Sequence, residues 1–456
     1  MRPARAFLRR AASAAAASLC ALALAAHASA QTLLRDAEIE NYLRDYSDPL
    51  FEAAGLVPAN VDIYLVGDRS LNAFVAGGSN VFVHTGLITE ADTPNQLEGV
   101  LAHETGHIAG AHLARGADAI AAAGRPAMLS LVLGAALIAA GAPPEAGIAA
   151  VGLGQSVGLG SFLAYSQGQE SAADQMAATY LDAVGSSGDG LVEFFGKLSN
   201  RQLLTSRRID PYMQTHPLAA RRQDRLAERT ASNGHPGDTP EEVERLRMIQ
   251  AKINGFIDEP YTTLRRYPLS DQSAPARYAR AVAYYRASDL GQASREIDRL
   301  IAAEPDNPYF AELKGQMLFE HGRIAESVAP HRRSVELAPD EPLLRVNLGR
   351  ALVATEEPAA VEEAVGVLNV ALDMEPGNVF GWTELARAQA RLGREELASL
   401  AQAEAYFAIG NLPEAHRFAT RAAAALKAGT PEHTQALDVV NASVDAARRA
   451  RGKRRR

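Results

Sequence analysis

Leu101-Ala102-His103-Glu104-Thr105-Gly106-His107 is a single H-E-x-x-H pattern in a chain of 456 residues. Residues four apart share one face of an α-helix, so this spacing sets the imidazoles of His103 and His107 side by side, able to close on one metal ion. Glu104 then lies beside them. Its carboxylate can take a proton from water activated by the metal, the general-base role in a zinc peptidase. Two histidines do not complete a metal site, so the pattern needs a third ligand and a fitting context.

The first 30 residues stand apart from the rest. Arg2, Arg5, Arg9 and Arg10 precede an apolar run from Ala11 to Ala25, and Ala28-Ser29-Ala30 is the small-residue pattern after which a signal peptidase cuts. The run is shorter than the roughly 20 residues of a membrane span. The expectation is a cleaved leader over 1–30 and a mature chain from Gln31. The one cysteine, Cys20, falls inside the leader after Leu19, where a lipoprotein signal has a small residue, so no lipid anchor is expected. Without thiols the mature chain has no disulfides, and any metal must be held by His, Asp or Glu. Removing the leader leaves 42 basic against 54 acidic residues, a balance that disfavours nucleic acid as a partner.

Upstream of the motif, Asp36 to Glu52 has the periodicity of an amphipathic helix with Ile39, Tyr42, Leu43 and Leu50 inside. Residues 61–66 alternate as a strand. Two β-rich runs, 72–78 and 80–87, flank a Gly-Gly pair and read as a hairpin or two edge strands, where a peptide could bind by strand addition. Residues 96–113 form the motif helix. His112, five residues after His107, would sit about 140° further round a continuous helix and is assigned to structure. In the longer metzincin pattern the third histidine would stand at Leu113. Downstream, 117–164 is small and apolar, and 127–142 reads as a buried or interfacial hairpin, short for a span.

The third ligand is sought at Gln169-Glu170-Ser171-Ala172-Ala173-Asp174, where Glu170 lies 63 residues after His107. Glu170 and Asp174 are four apart and share a helix face. That suits one carboxylate on the metal and the other hydrogen-bonding a ligand histidine.

Asn72-Ala73-Phe74, Gly86-Leu87, the H-E-x-x-H motif, Glu170-x-x-Ala173-Asp174 and Thr215-His216-Pro217 occur in an order that resembles the M48 family of gluzincin metallopeptidases, over about Asp36 to Leu226. The resemblance implies one Zn2+ per chain held by His103, His107 and Glu170, Glu104 as catalytic base, and Asp174 as a catalytic or ligand-supporting acid. It also implies that His216 and Arg222 lie near the metal. His216 has two physical options there: stabilising the oxyanion, or occupying the fourth metal position and keeping the enzyme latent.

Thr230 to Asp238 is polar and turn-rich, and a helix follows at 241–257. Beyond residue 270, Pro305, Pro339 and Pro376 recur at intervals of 34 and 37, the second lengthened near Thr355 to Pro358. A 34-residue period is that of tetratricopeptide helix pairs, which stack into a solenoid with a concave binding face. Ala403, Tyr406, Gly410 and Ala415 read as a further, overlapping unit. The tail from Arg448 to Arg456 carries seven positive charges and reads as disordered, with anionic lipid as a possible contact.

The expected chain is therefore mainly α with a small β-sheet: leader 1–30, gluzincin-type protease domain 31–230, linker and joining helix 231–270, α-solenoid 271–445 and basic tail 446–456. Leader, M48-like domain and repeats together imply a periplasmic endopeptidase acting on misfolded or misassembled envelope proteins, with the repeats recruiting substrate or the outer-membrane assembly complex. The other reading is a chaperone or scaffold whose metal site is latent.

Overall fold

The computed structural model describes residues 33–112, 115, 166–204, 212, 216, 220–231 and 234–454. The leader, the apolar stretch 117–164 and Pro217 lie outside the described residues. Among the described residues no helix is long and apolar enough to cross a membrane. The chain divides into two compact units. One takes the residues up to Arg35, Pro49–Ala91 and Gln96–His235; the other takes Asp36–Asp48, Asp92–Asn95 and Pro236–Arg456.

The first unit holds a four-stranded sheet of order β1-β2-β4-β3, with β1 Leu33–Leu34, β2 Ile63–Val66, β3 Ala73–Ala76 and β4 Asn80–His84. β3 and β4 are an antiparallel hairpin turning at Gly77 and Gly78, both at positive φ, while β2 runs parallel to β4. Register places Tyr64, Phe82 and Phe74 side by side, and their rings stack at 5.1 and 5.0 Å across one face. Val81, Val83 and Ala73 bury the other. β3 is thus an edge strand.

Helix α1 is Ala37–Ala53; α2, Thr85–Glu90, follows β4 directly, and α3, Pro94–Ala109, carries the motif. Leu97, Val100, Leu101 and Ala102 of α3 are buried. α4 spans 166–183 and buries Ala173, Ala177, Ala178 and Leu181, small side chains that allow close helix packing. α5, Asp189–Leu204, adds Phe194, Phe195 and Leu198, and α6 is Ala220–Thr230.

The second unit is helical. α7 (Pro240–Ile257) opens with a capping box between Thr239 and Glu242. After it come α8 (Pro260–Arg266) and the chain of antiparallel helices α9 (Ala274–Arg286), α10 (Leu290–Ala303), α11 (Pro308–Glu320), α12 (Ile324–Leu337), α13 (Pro342–Ala354), α14 (Pro358–Met374), α15 (Val379–Arg391), α16 (Glu395–Ala408), α17 (Leu412–Ala425) and α18 (Pro431–Arg454). Five three-residue turns share one device, a central residue at positive φ: Ser288, Gly322, Glu356, Gly393 and Gly410. Four of them close with an amide bonding the carbonyl five residues back, as Arg323 does to Leu318 at 2.9 Å. The exception is Glu356, after which the Glu357 amide bonds the Thr355 hydroxyl.

Pro305, Pro339 and Pro376 each sit between the second helix of one pair and the first of the next. The lengthened interval is taken up as helix: α14 has 17 residues where α10 and α12 have 14. α16 serves twice, as second helix of the pair turning at Gly393 and first helix of the pair turning at Gly410, which is the overlap seen in the sequence. α18 continues to Arg454, into the stretch read from sequence as a disordered tail.

Asp36–Asp48, which the sequence reading assigns to the protease half, clusters with the repeats. The cause is a buried polar network. Lys252 Nζ lies 2.7 Å from Asp36 and 3.0 Å from Glu38, Tyr278 donates to Glu38 at 2.6 Å, and Asn41 donates to Tyr309 and Glu341. A lysine so enclosed holds its proton well above the usual range: burial alone would lower it, and the surrounding carboxylates outweigh burial.

Candidate metal centre

α3 and α4 bring the donors together. His103 Nε2 and His107 Nε2 are 3.1 Å apart, and Glu170 from α4 reaches both, Oε2 at 3.5 Å from His103 and Oε1 at 3.4 Å from His107. His216 comes in with Nδ1 at 3.2 Å from each Glu170 oxygen and 3.4 Å from His103 Nε2. All four donors lie within 4.8 Å of one another. Bonds of 2.0–2.1 Å to a tetrahedral zinc imply donor separations of about 3.3–3.4 Å, and the spacings just given, 3.1–3.5 Å, lie close to that. Nitrogen and carboxylate donors without a thiolate suit a divalent cation of this kind.

Glu104 is fully buried beside the cluster, with Oε1 at 3.4 Å from His216 Nε2. Asp174, one turn after Glu170, sets Oδ1 3.0 Å from His103 Nδ1, the ring nitrogen facing away from the other donors. A carboxylate there fixes the ring and makes its other nitrogen a better ligand. Arg222 from α6 grips Asp174 through Nε and Nη2 and sets Nη1 3.0 Å from Glu170 Oε2. All seven residues singled out from the sequence therefore converge.

Burial would lower the His103 pKa, but Asp174 and Glu170 raise it to about 9. For Glu170 the balance runs the other way: burial would raise it, and hydrogen bonds to His103 and His216 hold it far below the carboxylate range. Asp174 is likewise lowered, its pairing with Arg222 and His103 outweighing burial. Such a cluster favours positive charge between its carboxylates. Burial pushes Glu104 up, against the pull of His216, His103 and the Val75 backbone of β3.

The contacts of three aromatic or imidazole side chains were not legible in the sequence. Phe195 sits under the site, 5.1 Å from the Arg222 guanidinium and edge-on to His103. Tyr212 stacks on His216 at 4.7 Å. His112, expected to face away, instead reaches His107, Nδ1 to Nδ1 at 3.0 Å. The expectation assumed a continuous helix, whereas α3 ends at Ala109 and Ala111 has φ 49°. Gly110 is the signal that marks this stop.

Two helices offering His, His and Glu to one point, with a second glutamate alongside, make this unit a metallopeptidase. Residues 35–230 match the model of peptidase family M48. The chain is similar to the β-barrel assembly-enhancing protease of Yersinia pestis, 28% identical over 411 residues, covering 88% of this chain and 83% of that protein. The protein of the same description from Escherichia coli (strain K12) is 27% identical, covering 87% and 81%. Metalloprotease LoiP of Escherichia coli (strain K12) is 29% identical over 181 residues, 39% of this chain and 65% of LoiP. Among solved structures, the tetratricopeptide protein YrrB matches at 17% identity with a TM-score of 0.32, covering 38% of this chain and 89% of YrrB.

Proposed function

We propose that this protein is a zinc endopeptidase of the bacterial envelope, periplasmic after loss of its leader, which hydrolyses misfolded or stalled envelope proteins. The repeats recruit the substrate or the outer-membrane assembly machinery. The observation that carries the reading is the convergence of His103, His107 and Glu170 on one point beside a buried Glu104. The envelope setting is supported by relatives described as β-barrel assembly-enhancing proteases, which align over most of their length.

His103, His107 and Glu170 would hold the zinc, which supplies Lewis acidity to polarise the scissile carbonyl and acidify water. Glu104 takes the proton of the attacking water and later delivers it to the leaving amine. Asp174 orients His103. Arg222 neutralises Asp174 and Glu170 and holds both in place, so it acts through the carboxylates. Among the described residues β3 is an edge strand, and it adjoins Glu104 through the Val75 backbone, a position from which an extended peptide adding as a strand reaches the base.

His216 is assigned the fourth position, the latent arrangement, because its Nδ1 belongs to the same group of donors. In this reading His216 must withdraw before substrate binds. A scaffold with a seldom-used protease is the second reading, favoured by that same placement.

The test is zinc content and hydrolysis of an unfolded casein by wild type and Glu104→Gln. We expect one zinc per chain in both and cleavage by the wild type alone. Equal cleavage by the variant would overturn the assignment.

A further inference from the structure

His112 is a buried imidazole that the proposed chemistry does not use, and the chain departs from regular geometry to place it. The last amides of α3 close at Gly110, bonding the Gly106 carbonyl at 2.9 Å, and at Ala111, bonding Ile108 at 2.9 Å. Ala111 then adopts the left-handed region, which disfavours a residue with a Cβ, and the chain turns back on itself. The His112 ring folds over Gly110 so closely that a Cβ there would stand 2.4 Å from its Nε2. Gln169, the residue before Glu170, donates to the His112 carbonyl at 3.0 Å and ties this turn to α4.

The ring so placed meets His107 edge to face, centroids 4.9 Å apart and planes at 79°, with the two Nδ1 atoms 3.0 Å apart. His107 turns its other nitrogen, Nε2, to His103 and Glu170. A neutral imidazole has one N–H and one lone pair. If the lone pair of Nε2 is to face a metal, the proton must sit on Nδ1, and an N–H largely withdrawn from water needs an acceptor. His112 Nδ1 is at hydrogen-bonding distance from it. Ligand histidines gain orientation and basicity when the second ring N–H is taken up in this way.

We propose that His112 is a positioning residue of the metal centre: by accepting the Nδ1–H of His107 it fixes the tautomer and the ring rotation that present Nε2 to the metal. Asp174 Oδ1 lies 3.0 Å from the corresponding nitrogen of His103, so each histidine of the motif has a polar neighbour at its second ring nitrogen. The proposal rests on the reading of His103, His107 and Glu170 as metal ligands.

The test is zinc affinity, measured by chelator competition on the full chain, for wild type, His112→Ala, His112→Asn, Gly110→Ala and Glu170→Ala, with the unfolding temperature of each metal-free protein. Removing such a partner weakens metal binding by about 10–100-fold. We expect a loss of that size in His112→Ala, with the metal-free unfolding temperature close to wild type. His112→Asn retains a side-chain acceptor near the same place and should recover most of the affinity. Gly110→Ala, which displaces the ring but keeps the imidazole, should lose affinity as His112→Ala does. Unchanged affinity in His112→Ala, or equal losses in His112→Ala and His112→Asn, would overturn the proposal while Glu170→Ala still abolishes binding. Unchanged affinity in Glu170→Ala would instead remove the ligand assignment, and the role of His112 with it.

Discussion

Arg222 and Asp174 form a two-pronged buried pair, Nε to Oδ2 at 2.7 Å and Nη2 to Oδ1 at 2.8 Å. The same guanidinium neutralises Glu170 through Nη1. Breaking a buried pair leaves uncompensated charge and costs about 3–5 kcal/mol. Here a metal cation can replace part of the lost positive charge. Arg222→Leu should therefore lose about that much stability in chelator and markedly less in zinc, as read by urea unfolding under the two conditions. Equal losses would show that Arg222 acts through packing alone.

Gly106 lies inside the motif, and a Cβ on it would stand 2.9 Å from the Ala173 carbonyl of α4. Helix propensity alone favours alanine over glycine by about 1 kcal/mol. The close approach reverses the sign, because the helix carrying Glu170 and Asp174 must move away from His103 and His107. We expect Gly106→Ala to lower kcat/KM by about tenfold or more, since catalytic geometry is sensitive to displacements below 1 Å. A rate equal to wild type would show that the two helices can separate without consequence.

His216 stands among the candidate metal donors and also 3.4 Å from Glu104, so in the latent arrangement it would compete with substrate for the reactive position. His216→Ala is expected to raise the rate of casein hydrolysis. A sharp fall would assign His216 to oxyanion stabilisation instead.

In the repeat unit, His331 of α12 is buried against α11, where Gly315 leaves it room; a Cβ at Gly315 would stand 2.7 Å from the ring. Burial, helped by Arg350, lowers its pKa from 6.5 to about 4. Between those values the unfolded chain binds a proton that the folded chain does not, so stability falls as pH drops from about 6.5 to 4. The loss amounts to about 3 kcal/mol at the acid end. Urea unfolding followed through Trp382, the single tryptophan, should show wild type losing that much more than His331→Leu between pH 7 and 4. Parallel pH profiles would contradict the assignment.

What could be read from the sequence follows from how local the causes are. The i, i+4 spacings of His103 with His107 and of Glu170 with Asp174 fix helix faces directly, and the β3–β4 hairpin is announced by Gly77-Gly78 between β-rich runs. The solenoid was legible through the spacing of Pro305, Pro339 and Pro376, because every helix pair needs the same turn. What was missed depends on reversals and on distant partners. The direction His112 faces was missed because Ala111 has no side-chain signature of a left-handed turn, although Gly110 hinted at one; its exclusion from the metal donors stands. The attachment of Asp36–Asp48 to the repeats depends on Lys252, over 200 residues away, and no periodicity encodes such a pairing.

The central claim is that His103, His107 and Glu170 hold one metal, although Glu170 is separated from the motif by a stretch of 62 residues. Titration of zinc into metal-free wild type and Glu170→Ala tests this most directly. The expected result is one tight site per chain in the wild type and affinity at least about 100-fold weaker in the variant. The same affinity and stoichiometry in both would contradict it.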